Sequence, residues 1–253
     1  MSVEKIGEMN IIETTKIDAK NPSIVIGIPD VGLVGSISVS HMVTSLNLAE
    51  VGYIESDLLP PVMIVHKNEV KSPVRIFCKG EIIAILSEVI LSRGAVTIIA
   101  KVISKWAKKH NTNSVIGVTG LAVPNRHEIE KPTVYGVGTV ADSNRRLKEA
   151  HIAPLEEGMI AGPLALIVKE CMRKEQANIT LIVEAHSEFP DPGAAASTIE
   201  SLNALLGTNM NVEKLMEGAE EIRIKMRDLM RQTSDQMRQM KRVQEQQPAG
   251  IVV

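Results

Sequence analysis

The 253-residue chain reads as an α/β protein, a mixed, largely parallel sheet flanked by helices, with a long helical extension towards its C-terminal end. Three observations predict this. Short runs of Ile, Val and Leu recur between amphipathic stretches of about 10–15 residues, the rhythm of parallel strands joined by crossover helices. Within the first strand-like run, Ser23–Pro29 (SIVIGIP), apolar residues follow one another without polar alternation, as in strands covered on both faces. Beyond Gly218 there is neither glycine nor proline up to about Gln246, and apolar residues return in steps of four and three.

Taken in order, Ser23–Pro29 is the first buried strand, and Val31–Leu46 follows as a helix with a start rich in glycine and serine. Val51–Glu55, Val62–His66, Val74–Cys78 and Ile82–Leu86 are short and mostly β-branched, so they read as clustered strands of a curved, mixed part of the sheet. Thr97–His110 carries Ile98, Val102, Ile103 and Trp106 on one helical face. Ser114–Val118 and Thr133–Val137 are strands, Pro163–Gln176 a helix, and Ile179–Val183 a further strand. The next helix, Ala194–Leu206, has strong punctuation. Asp191 suits the N-cap, Pro192 the first helical position, and Gly207 a left-handed stop.

The extension divides the chain into a core domain over residues 1–210, a helix over 211–247 and a tail over 248–253. Leu215, Ala219, Ile222, Met226 and Leu229 form its stripe, which Thr233, Met237, Met240 and Val243 continue after one slip of register. Acidic residues open the helix (Glu213, Glu217, Glu220, Glu221) and basic ones close it (Arg231, Arg238, Lys241, Arg242), matching the helix dipole. The whole would span about 50 Å at ~1.5 Å per residue. Its stripe needs a cover, either the chain's own core or, as the preferred reading, other copies of the chain. Leu215, Ile222, Met226, Leu229, Met237 and Met240 are therefore the expected oligomer contacts. Gln246-Gln247-Pro248-Ala249-Gly250 then makes a break and spacer before Ile251-Val252-Val253. Apolar side chains beside a terminal carboxylate suit a partner's pocket, and an end without a role is the alternative.

Composition excludes several functions. A net charge of -2 offers no general attraction to nucleic acid or anionic membrane, and aromatics at 2% leave little for base stacking. No uncharged apolar run is long enough for a bilayer, and the charged start does not resemble a signal peptide, so a cytoplasmic protein is expected. Cys78 and Cys171 stand apart in apolar segments, as reduced buried thiols do. His41, His66, His110, His127, His151 and His186 show no metal-ligand spacing, and neither metal nor cofactor is expected.

Two constellations merit attention. Gly27-Ile28-Pro29-Asp30-Val31-Gly32-Leu33-Val34-Gly35 lies at a strand–loop–helix junction. It is neither a dinucleotide fingerprint nor a P-loop, and Asp30 would repel phosphate, so close packing is preferred to anion binding. Glu184, His186 and Glu188 alternate past a strand's carboxyl end, while Asp30, Glu88 and Thr119 follow other strands. Ligands of open parallel sheets gather at that edge, so acid–base chemistry is conceivable there. Capping and turn formation suit the same residues equally. His127 and its charged neighbours Arg126, Glu128, Glu130 and Lys131 read as a solvated loop, with an oligomer contact as the second reading.

Four segments taken together carry a resemblance: Gly32-Leu33-Val34-Gly35 after the first strand, Gly158-Met159-Ile160-Ala161-Gly162-Pro163-Leu164 before a helix, Glu188-Phe189-Pro190-Asp191-Pro192 with its alanines, and the long helix after Asn211. In this order they resemble the proteasome assembly chaperone family, in particular the archaeal homologues of the second eukaryotic chaperone. The resemblance implies a fold similar to nucleoside phosphorylases and related hydrolases without an established catalytic site. It also implies a homo-oligomer whose C-terminal segments engage the α-ring of the 20S proteasome or its assembly intermediates. That family's docking tail typically ends in a hydrophobic residue, a tyrosine and one last residue. Ile251 matches the first, Val252 stands where the tyrosine would be, and Val253 is last; Val252 lacks the ring and hydroxyl. The expected function is thus non-enzymatic proteasome binding and assembly. The competing expectation is a nucleoside-processing hydrolase or phosphorylase using Asp30, Thr119, His186 and Glu188.

Overall fold

A computed structural model describes residues 2–6 and 9–246, with side-chain surroundings for Val3, residues 9–235 and Arg238. The tail residues Ile251, Val252 and Val253 and the side chains of Met237 and Met240 lie outside the described residues.

The chain begins with the hairpin β1 (Ser2–Ile6) and β2 (Met9–Glu13), then β3 (Ser23–Gly27), a 3-10 turn (Val31–Leu33) and α1 (Val34–Ser45). Next come β4 (Ala49–Glu55), β5 (Ile64–His66), β6 (Glu69–Lys71), β7 (Val74–Lys79), β8 (Ile82–Ser87) and α2 (Arg93–Lys109). They are followed by β9 (Ser114–Ala122), a second 3-10 turn (Arg126–Glu128), β10 (Val134–Gly138), α3 (Ala141–Glu149), β11 (Ala153–Pro154), α4 (Gly162–Arg173) and β12 (Asn178–Ala185). The last elements are α5 (Pro192–Leu206), α6 (Glu213–Glu217) and α7 (Ala219–Gln246).

Ten of these strands form one sheet in the order β1-β2-β4-β7-β8-β3-β9-β12-β10-β11. The centre, β8-β3-β9-β12, is parallel, with Val25 facing Ala84 on one side and Ile116 on the other. β2, β4 and β7 extend it antiparallel from one side, and β10 pairs antiparallel with β12 on the other. Every residue of β3 is buried, because helices cover both faces. On one face α2 and α4 close a core containing Ile24, Ile26, Ile99, Ile103 and Ile167. On the other, α1 and α5 close a second core containing Val25, Ile37, Ile116, Leu181 and Ile199.

The helix punctuation acts as expected. Asp191 accepts the Ala194 amide at 2.9 Å, Pro192 opens α5, and Gly207 ends it at φ 65°. Elsewhere the structure departs from expectation. Residues 31–33 are a 3-10 turn with Gly32 and Leu33 at φ 63° and 51°, so α1 starts only at Val34. Ser92 caps α2 through the Ala95 amide at 3.2 Å and starts it before Thr97. The strand expected at 62–66 does not join the main sheet; β5 pairs with β6 in a separate ribbon. β2 sits deep in the structure, with Met9 and Ile11 fully buried against the first core.

The extension is broken at Gly218, after which α7 spans about 42 Å at ~1.5 Å per residue. Leu215 is buried in the second core, and Ile222, Met226 and Leu229 pack against it. Met230 and Thr233 are buried too. The early stripe is therefore covered by the chain's own domain, the alternative to self-association. Steps of four and three alone do not distinguish these two covers.

Candidate functional site

The central strands β3, β9 and β12 end side by side, and the residues that follow them make the site. Backbone proximity explains the glycines. A Cβ on Gly35 would stand 2.8 Å from the Val118 carbonyl oxygen, so only glycine lets α1 lie this close to β9. Gly32 combines its left-handed φ with close neighbours in Ala185 and His186. The glycines of this junction thus serve packing between helix, turn and strands.

Asp30 leaves β3 and is buried beneath this turn. Its Oδ1 accepts the Val31 amide at 2.8 Å, and its Oδ2 accepts the Thr119 hydroxyl at 2.5 Å. Burial pushes the carboxyl above its ordinary value, while those two hydrogen bonds pull it back. Gly162, the first residue of α4, would place a Cβ 3.5 Å from Asp30 Oδ1. Asp30 and Thr119 therefore meet as expected, but as a closed buried pair under the start of α4.

His186 and Glu188 belong to a different arrangement, centred on Asp191. Asp191 Oδ2 accepts the His186 amide at 3.1 Å and Arg126 Nε at 2.8 Å; its Oδ1 accepts Arg126 Nη2 at 3.0 Å as well as the α5 cap bond. Arg126 Nη1 donates to the Ile129 carbonyl at 2.6 Å. Both ion-pair partners are buried, so the assignment of Arg126 to a solvated loop is corrected: it is the bidentate partner of the Asp-Pro cap. Sequence spacing gave no sign of this, because the partners are 65 positions apart and unrelated in local pattern.

The His186 ring stands edge-on to Phe189, with centroids 6.2 Å apart. Partial burial holds its pKa below the ordinary 6.5, with Arg126 acting in the same direction and Asp191 against it. The imidazole is accordingly neutral at pH 7. Glu188 projects outward and pairs with Arg238 of α7, linking this loop to the extension. Large apolar side chains stand exposed in the same connections: Phe189 (63%), Met159 (83%) and, at the end of β9, Leu121 (40%). This edge presents apolar side chains among exposed carboxylates such as Glu156, Glu157 and Glu188, above a buried ionic scaffold, a mixed surface suited to contact with a macromolecule.

Cys171 is buried, and desolvation pushes its thiol up to about 12, where it is unreactive at neutral pH. Cys78 is only half-buried, contrary to expectation. Among the described residues no cluster of His, Cys, Asp and Glu could hold a metal ion, and no helix is long and apolar enough to cross a membrane.

Fold and site together define an α/β protein with a parallel centre, a Pro-Asp-Pro helix start and an amphipathic C-terminal extension laid on its own core. Residues 24–230 match the PAC2 family, and the chain belongs to it. An uncharacterised protein of Methanocaldococcus jannaschii is 27% identical over 227 residues, covering 90% of this chain and 93% of the relative. Among solved structures, Pyrococcus furiosus PbaA, an archaeal homologue of proteasome-assembly chaperone, superposes with a TM-score of 0.83 at 29% identity, covering 91% of this chain and 99% of PbaA. Pyrococcus furiosus PbaB, an archaeal proteasome activator, shares the fold with a TM-score of 0.73 at 20% identity, covering 88% of this chain and 99% of PbaB.

Proposed function

We propose that this protein is a non-enzymatic, self-associating chaperone that acts in the cytoplasm and binds the 20S proteasome α-ring or its assembly intermediates. The observation that carries the proposal is the match to PbaA across nearly the whole of both chains, at the level of fold and sequence together. Membership of the PAC2 family supports a proteasome-related chaperone role in the same way. The site supports a binding rather than a catalytic part. Asp30 is sealed with Thr119, Asp191 is saturated by four donors, and three large apolar side chains, Leu121, Met159 and Phe189, stand exposed at this edge.

Docking by the tail is the second element of the proposal. Ile251, Val252 and Val253 supply apolar side chains, with Val252 in place of the aromatic residue. Several such tails on one oligomer would bind a ring with an avidity that one tail lacks. Binding to immobilised core particle checks this. Removal of residues 248–253 is expected to abolish it, and Val252→Tyr to strengthen it; truncated protein that binds as the full chain does would refute the tail's role.

A further inference from the structure

A second surface lies at the opposite end of the sheet, where β9 and β12 begin side by side. A groove of about 550 Å³ opens there, between α2, the end of α4 and the segments that lead into those two strands. Its basic lining is Lys101, Lys105 and Lys108 of α2 with Arg173 and Lys174 of the α4 end. The lysines of α2 follow one another by four and then three residues, so they form one exposed row about 10 Å long. Ser104, only 3% exposed, lines the groove from between them.

The charge of this row is not balanced from within. α2 carries Arg93, Lys101, Lys105, Lys108 and Lys109 and no acidic residue. Lys101 and Lys105 stand about one turn apart, as do Lys105 and Lys108, so like charges oppose one another along the helix. The helix dipole accounts for basic residues only in the last turn, where Lys108 and Lys109 stand; Lys101 and Lys105 come before it. Among the described residues the ammonium groups of Lys101, Lys105, Lys108 and Lys174 make no ion pair. Of the two carboxylates in the lining, Glu170 is paired with Arg173 at 2.8 Å and Glu175 is exposed. Thr112 Oγ1 and Gln176 Oε1, in the same lining, are buried without a hydrogen-bond partner.

We propose that this groove binds a chain of phosphate groups, free as an inorganic oligophosphate or carried by a nucleoside. Ammonium groups act on phosphate as point charges, and three of them in line suit successive phosphates. The bound chain supplies the negative charge that α2 lacks and relieves the repulsion along the row. The volume is that of a small-molecule site, well below the surface that a protein partner covers. The Thr112 hydroxyl can donate to a phosphate oxygen, whereas Gln176 Oε1 needs a donor, which a ribose hydroxyl offers. The site binds without making or breaking a bond. It lies away from the carboxyl edge, and the inference stands independently of proteasome binding.

The test is isothermal titration calorimetry of the full chain at about 0.05 M salt, with sodium tripolyphosphate, ATP, adenosine and a hexaglutamate peptide as probes. Tripolyphosphate and ATP are expected to bind saturably and adenosine not at all, with affinity falling about tenfold or more at about 0.5 M salt. The double variant Lys101→Gln, Lys105→Gln is expected to weaken both phosphate probes about tenfold or more. Both side chains are exposed and repel each other, so its melting temperature is not expected to fall. Lys148→Gln, on the exposed side of α3 outside the groove, is expected to leave both affinities unchanged. Gln176→Leu separates the two sources: a loss for ATP alone assigns the nucleotide, and equal affinities of ATP and tripolyphosphate that the variant leaves alone assign the free oligophosphate. No saturable binding of either probe, tighter binding of hexaglutamate, or an equal loss in Lys148→Gln would each overturn the proposal. If the double variant fails to fold, Lys105→Gln alone is expected to weaken both probes about fivefold, and unchanged affinity would overturn it.

Discussion

At the residue scale, the carboxyl edge is organised by two buried aspartates with opposite surroundings. Asp191 is an ion-pair partner and a cap at once, since Arg126 supplies two of its four hydrogen bonds. Arg126→Met would leave that carboxylate buried without its cation, and we expect a loss of about 3–5 kcal/mol in chemical denaturation. Asp30 instead has no cation partner among the described residues, and burial raises its pKa above 3.8. Its folded state then holds the proton more tightly than the unfolded chain does. Asp30 therefore favours folding most below pH 3.8, and this contribution is lost as pH rises through the folded value. Asp30→Asn keeps an acceptor for Val31 and no charge. Its melting temperature is expected to match wild type near pH 4 and to gain on it towards pH 8. A gap that shrinks with rising pH would refute this account. The cap was legible because Asp-Pro before alanines is a local signal. The ion pair was not, because nothing local marks Arg126 as the residue that folds back onto it.

At the element scale, legibility follows the strength of the apolar pattern. The strands of the parallel centre stand out as aliphatic runs because burial on both faces leaves them few polar positions, such as Thr119 and Thr180. α3 escapes notice because it buries only Ser143 and Leu147, too little for a visible periodicity. β2 escapes because it follows a charged start, although Met9 and Ile11 already show its buried face. α7 shows what periodicity leaves open: a stripe reveals that a face is covered but not by what. In the structure the cover is the chain's own core, with Met230 fully enclosed. Met230→Ala is therefore expected to cost about 2–5 kcal/mol in monomer and oligomer alike. If the cost appeared only in the oligomer, the helix would belong to an interface instead. Gly35→Ala tests the α1 junction, where an added methyl meets the Val118 carbonyl at 2.8 Å. A loss of about 1–3 kcal/mol is expected, and an unchanged melting curve would contradict the close-packing account of these glycines.

At the scale of the whole molecule, the sheet separates two kinds of surface. Its carboxyl edge combines a rigid ionic scaffold with exposed Phe189, Met159 and Leu121, and Glu188 ties that edge to α7 through Arg238. The opposite end carries an exposed row of lysines, Lys101, Lys105 and Lys108 of α2. The order of motifs made the family legible in the sequence, whereas the pairing of distant charges needed the fold. The central claim, that this protein engages the proteasome core particle, is tested most directly by size-exclusion chromatography with light scattering of the protein mixed with purified 20S particle. The account predicts co-migration at a defined stoichiometry, with the mass of the complex above that of the particle alone. Two separate peaks of unchanged mass, at protein concentrations where the chain is folded and oligomeric, would contradict it.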